Sequence, residues 1–92
     1  MAVIGFEALS VAGTAVGLTA ATVGVANHAH IRVEVAAVRF RADGTVPTAT
    51  VGTPLEVGDV LELAERDSLS GIQFIRRDGV TATLSCHYLL DD

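Results

Sequence analysis

The sequence predicts an all-β fold: a small antiparallel β-sandwich, or a partly open barrel, of about six to eight short strands in a single domain over residues 1–92. Three observations carry that prediction. Apolar and polar residues alternate with a period of two through most of the chain. Turn-forming pairs such as Asp43-Gly44, Gly58-Asp59 and Asp78-Gly79 interrupt the alternation, and turn signals recur about every ten residues. No segment sustains a capped helical stripe.

Taken in order, Ile4, Phe6 and Ala8 share one parity, and Leu9 and Val11 continue on the other. Gly13, Gly17 and Gly24 punctuate the next stretch, with a short strand expected at Val16-Gly17-Leu18. Ile31, Val33 and Val35 alternate with Arg32 and Glu34, the signature of a half-buried strand. Then the phase changes, and Val38 and Phe40 become the apolar set. A one-residue slip exchanges the two faces of a strand, so a bulge or sharp bend is expected at Ala36-Ala37. Residues 41–59, RADGTVPTATVGTPLEVGD, form a long edge excursion. Pro47 and Pro54 lack a donor N–H and exclude a central strand there. Residues 48–51 are expected to pair as an edge strand that offers Thr48 and Thr50 to a neighbouring sheet. Val60, Leu61 and Leu63 make the next strand, and residues 65–70 read as a polar loop with one helical turn. Ile72, Phe74 and Ile75 form another. After the Arg77-Asp78-Gly79 turn, Ala82, Leu84, Cys86 and Tyr88 alternate with Thr81, Thr83, Ser85 and His87.

Half of the residues are hydrophobic but only four are aromatic, so the core consists of small side chains and removes less apolar area from water per residue. A 92-residue chain with a mean hydropathy of +0.49 is expected to bury surface against partners, as a homo-oligomer or docked subunit. Eleven acidic residues oppose six basic ones, all Arg, for a net charge of −5. That balance argues against nucleic-acid binding, which needs a concentrated positive surface. Residues 8–26, ALSVAGTAVGLTAATVGVA, carry no charge over nineteen positions. They are rich in Ala, Gly and Thr, however, and Glu7 stands where a basic flank would anchor a span, so soluble strands and no membrane association are expected.

Candidate chemistry is sparse. His28 and His30 lie two apart and would share a strand face. His87 and Cys86 could add nitrogen and sulfur ligands for zinc, but adjacent strand residues point to opposite faces. The same geometry separates Cys86 from His87 as a nucleophile–base pair. Cys86, the only cysteine, is expected to be a small buried hydrophobe. Asp43, Glu56, Asp59, Glu62, Glu65 and Asp67 lack the spacing of a calcium loop and read as turn formers. No glycine-rich phosphate loop occurs. The expectation is therefore a non-enzymatic protein with no catalytic residues, no metal and no cofactor. A ligand- or carbohydrate-binding β module is the alternative of another class, although the chain has no Trp and only Tyr88 for sugar stacking.

The run GLTAATVGVANHAHIRVEVAAVRFRADGTVPTATVGTPLEVGDVLELA resembles small structural proteins of tailed-bacteriophage virions. The matching elements are Gly17-Leu18-Thr19, the strand pair over residues 29–40, the turn-rich residues 43–59, and a terminal strand ending in Tyr88. They are spread over residues 17–88, about three quarters of the chain. His28, His30 and Cys86 depart from the pattern. The resemblance implies a capsid decoration or cement protein, made in the host cytoplasm and carried on the virion. Its partner would be the major capsid protein or another virion protein; a tail or head–tail connector component is the nearby alternative. Phe6, Leu9 and Val11 are candidate docking anchors in the low-charge N-terminal third, with core packing as the competing role.

Overall fold

β3 (His28–Glu34) and β8 (Ala82–Leu90) form the centre of the structure because their alternation is unbroken. Ala29, Ile31 and Val33 face inward from β3, opposite Tyr88, Cys86 and Leu84 of β8, and all six are buried. β1 (Ala2–Val11) pairs with the other side of β8, and β6 (Val60–Leu63) with the other side of β3. These four strands make one antiparallel sheet in the order β1-β8-β3-β6, hereafter the first sheet. The second, in the order β2-β7-β4-β5, is built from β2 (Val16–Gly17), β4 (Val38–Arg41), β5 (Thr53–Leu55) and β7 (Gln73–Arg76). The protein, a computed structural model describing residues 2–91, is mostly β, with the two sheets packed together and no closed barrel.

The change of phase in the sequence marks the crossing between sheets. β3 buries odd-numbered residues in the first sheet, whereas β4 turns the even-numbered Val38 and Phe40 inward from the second. Glu34 C=O accepts a hydrogen bond from Ala36 N–H at 2.9 Å, and Val35 between them has φ 74°. That is a three-residue turn of the rare, strained kind. The bend expected at Ala36-Ala37 thus begins one residue earlier, and it moves the chain from one layer to the other. Once there, Phe40 packs against the fully buried Phe74 with ring centroids 6.1 Å apart.

Two short helices add one buried side chain each to the core. Residues 65–70, read as a loop with one helical turn, hold α2 (Arg66–Gly71), which buries Leu69 beside the core. α1 (Ala20–Val23) buries Val23 and ends at Gly24, whose φ of 55° favours glycine. The uncharged residues 8–26 are therefore divided among the end of β1, β2 and α1. No helix among the described residues is long and apolar enough to cross a membrane.

Candidate protein-docking face

Cross-strand register assembles a row on the outer face of the first sheet. Phe6 of β1 lies opposite His87 of β8, His87 opposite His30 of β3, and His30 opposite Glu62 of β6. The Phe6 and His87 rings are 4.8 Å apart and tilted, a usual geometry for stacked aromatic partners. His30 Nε2 lies 3.8 Å from Glu62 Oε1, and both side chains are half or more exposed, so this pair contributes little stability. One row along, His28 faces Leu89, which faces Val3. His28 Nδ1 donates to Asn27 Oδ1 at 2.8 Å, and that oxygen also accepts from Asp91 N–H, which ties the chain end to the start of β3. Between the rows lies a shallow depression of about 380 Å³ lined by Val3, His28, His30, Leu63, His87 and Leu89.

The three histidines thus share one face, although the sequence suggested this only for His28 and His30. The signal that unites them with His87 is the β3–β8 register, which has no local mark in the sequence. Cys86 points the other way, into the core, as expected from its adjacency to His87. Burial pushes its thiol up to about 12. Among the described residues no group of three or more His, Cys, Asp or Glu is arranged to hold a metal ion.

The proposed anchors separate. Phe6 is 53% exposed, and Val3 and Ile4 beside it are 60% and 43% exposed, a run of large apolar side chains at one margin of the sheet. Val11 is fully buried in the core and Leu9 packs against that core, so neither is a docking anchor; this corrects the sequence reading. The cause is a register shift between Val3 and Gly5, after which β1 directs its odd-numbered residues inward. Glu7 belongs to that inward set. Its carboxylate accepts from Tyr88 O–H at 2.5 Å and from Thr19 N–H and O–H at 3.1 and 2.6 Å. Burial first, and the Glu7 carboxylate second, push the Tyr88 phenol well above its ordinary range.

Thr48 and Thr50 are exposed, but residues 48–51 do not form an edge strand, a second correction. Thr48 and Val51 exchange backbone hydrogen bonds at 2.9 and 3.3 Å, and Thr48 Oγ1 accepts from Thr50 and Val51 N–H. The segment closes on itself as a turn. Arg39 fastens it to β4 by donating to Ala49 O at 3.0 Å and Gly52 O at 2.8 Å. Nearby, the Arg41 guanidinium beside Asp43 holds that carboxyl below its usual range, as Arg77 does for Asp78. Both pairs lie on the surface and serve as turn braces.

Compared with known proteins, the chain matches no family model, no curated protein and no solved structure.

Proposed function

We propose that this chain is a non-enzymatic structural subunit of a tailed-phage virion, a capsid decoration or cement protein that seats the outer face of its first sheet on the capsid lattice. The observation that carries the reading is the exposed apolar margin Val3, Ile4 and Phe6, continuous with the Phe6–His87–His30 row. A margin of large apolar side chains bordered by polar residues is the anatomy of a protein-binding patch. The sequence resemblance, carried by elements spread over residues 17–88, supports the virion setting. The opposed orientations of Cys86 and His87 support a binding role over nucleophilic catalysis.

The test is to purify particles from a lysate that produces the protein by caesium-chloride banding and to assay the band by mass spectrometry. Stoichiometric co-banding with intact capsids is expected, lost or reduced in a Phe6→Asp variant. Recovery only in the particle-free fraction overturns the reading. Banding with isolated tails but not with tail-less capsids assigns the protein to the tail or connector instead.

A further inference from the structure

We infer that β1 is a self-pairing edge, through which two copies of this chain join their first sheets into one eight-stranded antiparallel sheet about a twofold axis centred on Ala8. The inference deepens the proposed structural role by naming a partner, and it rests on that role only for the expectation that the chain associates.

A sandwich of two open sheets has four edge strands, and an unpaired edge invites another strand unless something blocks it. Here three of the four are blocked. β2 has two residues, β5 has three and carries Pro54, and β6 has four with Glu62 on its outer side. β1 has ten residues, no proline and no lysine. Among the described residues its backbone hydrogen-bonds to β8 alone; no turn, helix or side chain bonds the opposite side. The irregularity between Val3 and Gly5 bends the first residues away, which leaves residues 5–11 as the regular free edge.

The occupant is set by charge and register. The whole chain carries −5, so two copies repel except where they meet without charge. β1 offers such a surface. Its outward side chains from residue 4 onward are Ile4, Phe6, Ala8 and Ser10, and its single charged residue, Glu7, is turned inward and held by Tyr88 and Thr19. In an antiparallel homodimer a residue-centred twofold keeps inward residues opposite inward residues. Centring on Ala8 pairs all of residues 5–11: Gly5 with Val11, Phe6 with Ser10, and Glu7 with Leu9 of the second copy. Centring on Glu7 would place two carboxylates face to face, and centring on Phe6 would run the ladder into the irregular first residues. A small Ala at the axis lets the outer faces meet closely, and the second copy's Ser10 leaves room for Phe6.

The test uses the full chain in sedimentation equilibrium from 1 to 100 μM, on the order of the affinities at which weak symmetric dimers form. A concentration-dependent dimer is expected. Ala8→Lys and Ala8→Glu should each sediment as monomers with unchanged far-UV circular dichroism, because like charges then stand directly opposed. An equimolar mixture of the two should recover a dimer. Ala8→Cys should form a disulfide-linked dimer under mild oxidation, whereas Ser10→Cys, which faces Phe6 of the second copy, should not. A monomer at every concentration, or an Ala8→Lys variant that dimerises like the parent, overturns the inference. Co-banding with virions by a strictly monomeric chain would sink this inference and leave the virion role standing, and a dimer that never bands with particles does the reverse.

Discussion

Val35 offers the sharpest test of how this chain passes between its layers. Its φ of 74° lies in the left-handed region, where a β-branched side chain is a true outlier. The Glu34 O to Ala36 N–H bond closes the turn around it. Such residues cost on the order of 1–3 kcal/mol and persist only where surrounding structure enforces them. Here the enforcement comes from both sides: Val33 and Val38, one in each sheet, are fully buried and fix the two ends of the crossing. Val35 itself is 68% exposed, so truncating it forfeits only about a third of the roughly 1.5–3 kcal/mol that full burial of a valine contributes. Val35→Ala and Val35→Gly lose that same burial. They differ in two terms. Glycine removes the remaining Cβ strain, about 1–2 kcal/mol, and adds unfolded-state entropy that costs about 0.4–1 kcal/mol. Val35→Gly should therefore be more stable than Val35→Ala by about 1 kcal/mol, or about 4–8 °C in Tm for a domain of this size. The ordinary order at exposed positions is the opposite. Thermal and urea unfolding tracked by far-UV circular dichroism measure the difference. An alanine variant as stable as the glycine variant, or more stable, would refute the strained turn.

Three further outcomes are expected from side-chain geometry. Tyr88→Phe keeps the buried ring but deletes the hydrogen bond to Glu7, and should cost about 1.5–3 kcal/mol in urea titrations, the usual range for a bond to a charged group; a loss under about 0.5 kcal/mol, the low end for any hydrogen bond, would remove the Glu7 network from the account of β1. Cys86 and Tyr88 both have raised folded-state pKa values, so the unfolded chain releases their protons first. The Cys86 contribution is complete below the ordinary thiol value of 9.0 and is lost as pH climbs toward about 12, with Tyr88 following from its ordinary value of 10.0, by at most about 1.4 kcal/mol per pH unit for each group; urea midpoints should fall as pH rises from 9.0 toward about 12, less steeply in Cys86→Ala, and a flat profile would contradict the burial. Arg39→Ala frees the turn at residues 48–51 from Ala49 O and Gly52 O, and limited proteolysis should then cut inside residues 43–52 several-fold faster while the sheets stay protected.

Where the sequence was legible, the reason is period. β8 could be read residue by residue, because Ala82, Leu84, Cys86 and Tyr88 keep one parity over the whole strand and all four are buried. The turn pairs at Asp43-Gly44 and Gly58-Asp59 were legible for a conformational reason, since Gly44 and Gly58 have φ 84° and 92°. β1 misled because Leu9 and Val11 have the opposite parity to Phe6, so one strand cannot offer all three as anchors to one partner. The shift after Val3 gives the Phe6 face to solvent and turns Leu9 and Val11 inward. Residues 48–51 misled because threonine suits both an exposed strand and a turn closed by its own hydroxyl. The outer row of Phe6, His87, His30 and Glu62 was beyond reach, since it is assembled from four strands by register.

β1 supplies both surfaces on which the proposed roles depend, and its inward side explains why it can. Thr19, just before α1, grips Glu7, and the packing beneath Gly5 is so close that a Cβ there would lie 2.8 Å from Thr22 O. Glycine is the residue that permits this approach of α1 to the strand. With Tyr88 holding the same carboxylate from β8, the strand is fixed from below and from its paired side. Its free edge and its outward Phe6 are consequently ordered before any partner arrives. Ordering a mobile strand on binding would subtract from the affinity gained, whereas a strand already held in place keeps that gain. The two contacts are also distinguishable by substitution: Phe6 and Ala8 both project outward, but only Ala8 lies on the proposed twofold, where Ala8→Lys opposes like charges, whereas Phe6→Asp places its charge opposite the second copy's Ser10. A chain that loses particle binding with Phe6→Asp but dimer formation with Ala8→Lys would use one strand for two contacts, each carried by different atoms of it.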